Sequence, residues 1–241
     1  MIRYINILLF VVMIVMNYLA NALPLNNRTT GEISDSFPNL FVPAGITFSI
    51  WGIIYLLLAA YCFVQFTGTD QTVILKIGWI FGITCVLNAG WIIFWHYGRL
   101  PLSLIVMISL LVSLVYINFF IRGLPPGLIK AAFGIYLGWI CIATIANVTA
   151  LLVDYGWNGF GISREVWTII MIYTGTLITL SALYWFRNPF IGLAVVWAFA
   201  GIAIKRQDDF RSIFAAAIIA LILTALITTW GFFRKSLAVA E

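Results

Sequence analysis

Apolar residues run along this chain in long unbroken stretches. Eight of them, 4–22, 45–66, 74–97, 102–121, 129–153, 165–186, 189–204 and 210–233, approach the roughly 20 residues a helix needs to cross a hydrocarbon core about 30 Å thick. A membrane β-barrel would instead alternate apolar and polar positions over segments of about ten residues. The pattern therefore predicts an all-α protein, a polytopic transmembrane helical bundle of about eight spans. Most linkers are short, as at Gly98-Arg99-Leu100-Pro101 and Arg187-Asn188-Pro189, and Pro101, Pro125, Pro126 and Pro189 fall in linkers or at span starts, where a missing N–H costs little. The stretch 189–204 is short for a full crossing and reads as a tilted partial helix or one arm of a hairpin. The first stretch has a rival reading, because Arg3, an apolar run and Ala20-Asn21-Ala22 resemble a secretory signal. Its length, with Asn17 and Tyr18 near its end, favours a retained helix.

Composition narrows the class further. The chain is 63% hydrophobic and 9% charged, against about 25% charged in a soluble domain, which excludes a soluble protein, a disordered chain and a nucleic-acid binder. The net charge of +5 comes from bases scattered singly at the ends of apolar runs, where helix-flanking cations belong. With eight spans, Arg3, Lys76, Arg122, Lys130, Arg187, Arg234 and Lys235 share the side of the termini, with Asp70 and Glu241. Arg28, Arg99, Arg164, Lys205, Arg206 and Arg211 share the other side with the remaining acids. Seven bases against six gives only a slight preference for termini inside. Cys62, Cys85 and Cys141 all lie in apolar stretches and read as buried thiols; their spacing fits no zinc site.

Chemistry inside the spans is sparse. No Asp, Glu, Lys or Arg falls in the middle third of any stretch, which argues against a pump or a proton-driven carrier. The single histidine, His96, sits beside Trp95 and Tyr97 near a helix end and reads as an interfacial belt residue. No catalytic set, metal site or cofactor is called for. The spans carry stripes of another kind. Phe48, Trp51, Tyr55 and Cys62 share one helical face, as do Thr84, Asn88, Trp91 and Trp95, and again Tyr136, Trp139, Ala143 and Asn147. An amide in hydrocarbon is costly unless bonded, so Asn88 and Asn147 face the bundle interior and turn the tryptophans of their faces inward. Two readings stand: packing around buried amides, or a pocket lined by indoles, phenols and two amides, suited to a large flat apolar ligand.

The connection 24–44 is long and polar, and Phe37, Pro38, Phe41 and Pro43 lead from it into the second span as an ordered linker or a lid over the bundle. It contains the sequon Asn27-Arg28-Thr29. A second sequon, Asn147-Val148-Thr149, falls inside an apolar span where no glycan can sit, so the pattern carries little weight. Two Gly-x-x-x-Gly pairs, Gly78/Gly82 and Gly134/Gly138, allow close helix approach, for internal packing or for a homodimer seam.

Three blocks resemble one known family, the tryptophan-rich sensory protein and translocator protein (peripheral benzodiazepine receptor) family. They are Pro43 to Tyr55, PAGITFSIWGIIY; Leu87-Asn88-Ala89-Gly90-Trp91; and Tyr136-Leu137-Gly138-Trp139 continuing through Ala143, Thr144 and Asn147. Their order across successive helices makes the set more specific than any one block. The resemblance covers about residues 1–155 and implies a five-helix core, with 156–241 adding about three helices as a second unit. It implies a membrane binding or sensory protein, in a bacterial cell membrane, for a porphyrin-like ligand, with a role in its transport or handling. Carried over by position, Trp51, Asn88, Trp91, Trp139, Ala143 and Asn147 would line or brace the pocket. The sequence departs from the family at Gly45, where a tryptophan is common, and at Ile145, where sterol-binding members carry a tyrosine. The alternative from another class is a transporter of a lipid or small solute using all eight helices, with Thr174, Thr176, Thr179 and Ser181 as its polar path. A ligand-degrading enzyme is a third reading, in which the tryptophans would have to act as electron donors.

Overall fold

The computed structural model describes residues 1–23, 25–67 and 71–233; Asp70, Arg234, Lys235 and Glu241, tallied above, lie outside them. Among the described residues the chain forms nine α-helices: α1 (Ile2–Asn21), α2 (Thr30–Ser36), α3 (Ile50–Val64), α4 (Gln71–His96), α5 (Leu100–Ile121), α6 (Leu128–Asp154), α7 (Arg164–Phe186), α8 (Phe190–Arg206) and α9 (Arg211–Phe233). Seven segments are long and apolar enough to cross a membrane, the second running Gly45–Val64. The short stretch is α8, whose 17 residues rise only about 25 Å.

Local chemistry explains the boundaries. Thr29 caps α2 through a capping box, its hydroxyl accepting from Glu32 N while Glu32 Oε2 accepts from Thr29 N at 2.6 Å. Pro101 sits in the first turn of α5, where no partner for its nitrogen is needed. Ser163 caps α7 and accepts from Val166 N; the helix ends at Arg187, which takes a left-handed conformation at φ 48°.

The helices α1, α3, α4, α5 and α6 pack as one group, with α4 between α1 and α5, and α6 between α5 and α3. The three C-terminal helices dock on it through α8, which lies against α6, with α9 on α8 and α7 on α9. Both glycine pairs serve these internal contacts. A Cβ on Gly82 would sit 3.1 Å from Leu9 Cδ1 of α1. One on Gly138 would collide with the Ile191 carbonyl of α8 and lie 3.0 Å from Ala194 Cβ. Gly192 of α8 meets α9 equally closely, at the Thr228 hydroxyl.

Several of the buried polar residues bond across helices, which offsets the cost of burying them in hydrocarbon. Asn17 of α1 donates to Asn88 Oδ1 at 2.7 Å, and Asn88 donates to the Tyr136 hydroxyl at 2.9 Å. Where the termini of α5, α6 and α7 meet, Asn188 donates to Asn118 Oδ1 and to the Lys130 carbonyl. The buried Lys130 ammonium donates to the carbonyls of Arg122 and Arg187, tying two turns together. Cys62, Cys85 and Cys141 are buried and free.

His96 corrects the interfacial expectation. It is 3% exposed, and its Nδ1 donates to the Ile92 carbonyl at 2.8 Å, since a carbonyl only accepts. Its neighbour Tyr97 is exposed.

Candidate functional site

The three stripes converge below the connection that leads into α3. Trp51 is the hub. It stacks on Tyr55 with centroids 5.5 Å apart and on Trp91 at 6.5 Å, and meets Tyr136 and Trp139 edge-on at 5.9 and 6.2 Å. Phe48 meets Trp139 at 5.9 Å, and Trp91 continues the stack to Trp95 at 5.7 Å. These are the separations and tilts that aromatic quadrupoles favour.

A small cavity of about 40 Å³ lies among these rings. Phe48, Trp51, Trp91, Trp139, Ala143 and Asn147 line it, and Pro43 covers it. Three further expected residues stand back from it. Asn88 and Tyr136 are bonded to each other behind the indoles, and Tyr55 backs Trp51. Trp95 joins the lining, as do Ile142 and Ala146 from α6, and Thr30 and Ser34 from α2. Trp95 was visible in the same stripe as Asn88, whereas nothing in the sequence placed the short α2 over the cavity.

The polar atoms around this space are unevenly satisfied. Asn147 Nδ2 donates to Ser103 Oγ at 2.9 Å, yet Asn147 Oδ1, Trp91 Nε1, Trp139 Nε1 and Thr30 Oγ1 are buried with no protein partner. Buried polar atoms usually find partners, and these four, among the thirteen such buried atoms of the described residues, lie around one cavity. They supply three donors, counting the hydroxyl, and two acceptors, with no charge.

The covering segment is held from both sides. Phe37 packs on Trp95 at 5.9 Å, Phe41 is fully buried, Pro43 is buried, and Pro38 faces outward. Asn39 donates to Thr149 Oγ1 at 2.6 Å, so the threonine of the second sequon anchors the lid. The other side is α8. Arg206 donates from Nε to the Leu40 carbonyl at 2.9 Å and from Nη2 to the Asn39 carbonyl at 3.1 Å. Ala44 N donates to the Gly201 carbonyl at 3.0 Å, and Trp197 Nε1 to the Thr47 carbonyl at 2.9 Å. Lys205 pairs with Asp35 at 2.5 Å, and the Thr47 hydroxyl fits where Gly201 has no side chain.

The sequence matches the family described as TSPO-like protein over residues 3–230. The chain belongs to that family. The match runs well past residue 155, where the aromatic motifs end, and takes in α7, α8 and α9. No curated protein and no solved structure gives a match. In this TSPO-like protein, an integral multi-pass membrane protein by its seven long apolar segments, the C-terminal helix α8 supplies the clamp on the loop that covers the cavity.

Proposed function

We propose that this TSPO-like protein binds a large, flat, hydrophobic aromatic ligand of the tetrapyrrole class in a bacterial cell membrane, and acts in sensing or handling it. One observation carries the reading: indole walls and unpartnered neutral polar atoms surround the same cavity under a clamped loop. Stacking and desolvation would hold the ring system, and Asn147 with the two indole N–H groups would orient its polar edge.

About 40 Å³ holds a water or two, far below the 300–1,000 Å³ of a ligand pocket. The ligand therefore has to part the indoles and lift the 37–48 segment. The transporter reading has less support. Thr176 and Thr179 bond their own helix, at the carbonyls of Ile172 and Gly175, and so contribute no polar path.

The test is a titration of the purified protein with protoporphyrin IX, followed by tryptophan quenching, in the wild type, Trp139→Phe and Asn147→Ala. The expected outcome is saturable quenching that weakens at least several-fold in both variants. Unchanged affinity in both removes this cavity as the site. Bleaching of bound porphyrin under light would move the reading towards ligand breakdown.

A further inference from the structure

A second, larger space lies at the other end of the bundle and plays no part in the proposed function. There α5, α6 and α7 leave an open groove of about 580 Å³, walled by Leu111, Val115, Leu137, Leu177 and Trp185, with Arg122 at its mouth. From Leu111 to Arg122 is 11 residues of one helix, about 16 Å at 1.5 Å per residue. That is about half of a hydrocarbon core about 30 Å thick, the depth of one leaflet. The groove faces outward: Leu177 and Trp185 are each 66% exposed.

Its mouth is electrostatically one-sided. Among the described residues this end carries Arg3, Lys76, Arg122, Lys130 and Arg187, and no carboxylate. The Arg122 guanidinium lies over the Phe119 ring at 4.5 Å, and no oxygen of the described residues accepts a hydrogen bond from it. Its backbone is fixed, because Lys130 holds the Arg122 carbonyl at 2.9 Å and the Arg187 carbonyl at 2.8 Å. The mouth is thus a pair of tied turns presenting a guanidinium that no described residue pairs with, above a leaflet-deep apolar channel. Basic pockets between membrane helices take anionic headgroups.

We propose that this groove is a site for an anionic glycerophospholipid, with one acyl chain between α5 and α7 and the phosphate on Arg122. The occupant comes from the leaflet on the side of the termini. Charge complementarity selects it over a zwitterionic lipid, by about five-fold for each base that acts near the surface.

Trp185 provides the readout. The full-length protein is placed in nanodiscs of phosphatidylcholine with increasing brominated phosphatidylglycerol, and in a second series with brominated phosphatidylcholine. The Trp185 signal is the emission difference between the wild type and Trp185→Phe. Phosphatidylglycerol should quench it at about a five-fold lower mole fraction than phosphatidylcholine. Arg122→Gln, an exposed change that leaves the backbone knot intact, should abolish this preference. Arg211→Gln at the opposite end should keep it. Ser181→Phe fills the groove and leaves every base in place, and it should lose the preference too. Equal quenching by both lipids in the wild type overturns the proposal, as does a preference that survives Arg122→Gln. Loss in Arg122→Gln with retention in Ser181→Phe means charge attraction at the surface without a groove site, and overturns it as well.

Discussion

The two ends of the bundle are built on opposite plans. At the loop end, Arg28, Arg99, Arg164, Lys205, Arg206 and Arg211 stand together with Glu32, Asp35, Asp154, Glu165, Asp208 and Asp209, and the aromatic cavity is nearly filled and covered. At the end of the termini, bases stand without carboxylates among the described residues, and the groove between α5 and α7 is open to lipid. A covered site walled by indoles suits a large apolar ring system admitted by movement. An open, basic one suits an anion already present in the membrane. One helix serves both ends: α8 begins beside Asn188 in the amide–lysine knot and finishes at Arg206 on the lid.

Separating α6 from α8 should therefore disturb both ends, and this is the largest effect expected. In Gly138→Ala the new Cβ collides with the backbone carbonyl of Ile191, which cannot turn aside as a side chain can. Overpacking of this kind costs about 1–3 kcal/mol. Gly45→Ala, with nothing within 4 Å of its Cβ, is the control. Thermal melting in detergent should fall clearly for Gly138→Ala and hardly for Gly45→Ala. Similar melting of the two variants would show that α8 is not wedged against α6.

Opening one end alone is a smaller perturbation. Arg206→Ala removes two hydrogen bonds from a cation to the lid carbonyls, each worth about 1.5–3 kcal/mol at most and less here for partial exposure. Stopped-flow mixing with protoporphyrin should show association several-fold faster than in the wild type. The lipid-dependent signal of Trp185 should stay as it was. An unchanged association rate would mean that the ligand reaches the cavity by a route that does not lift the lid.

How far the sequence revealed this arrangement follows from what each residue bonds. Asn88 and Asn147 were legible because an amide has no lipid-facing option, and the tryptophans on their faces, three, seven and eight residues away, had to follow. Gly134 and Gly138 announced a close approach but not the partner, since a missing side chain carries no address. The α8 clamp was illegible for a related reason. Trp197 is 40% exposed and looks like a lipid-facing indole, and its bond is to a backbone carbonyl 150 residues away. Arg206 likewise reads as a helix-end cation, although it bonds two carbonyls of the lid. Backbone acceptors leave no trace in side-chain pattern. Closure of the cavity was beyond reach as well, because stripe positions show which rings meet and not how much space they leave.

The mildest probe of the comparison is acid. Glu32 lies outside the membrane, and its carboxyl is held below the usual range, first by the Thr29 backbone N–H, then by the Thr29 hydroxyl, with Arg28 adding to both. A carboxyl whose folded value is depressed contributes stability that is present above its unfolded value and lost as pH falls through the folded one. Lowering the pH through the carboxylate range should therefore loosen α2 over the cavity, seen as falling hydrogen-exchange protection of the Glu32 and Ile33 amides. Thr29→Ala removes the cap at any pH, so protection there should start lower and respond less to acid. Arg187, whose carbonyl accepts from Lys130 at the end of the termini, has no carboxylate within twenty residues of it in the sequence, and amides around it should not follow the same curve. If acid loosened both ends alike, or Thr29→Ala responded as the wild type does, the capping box would not be what holds α2 in place.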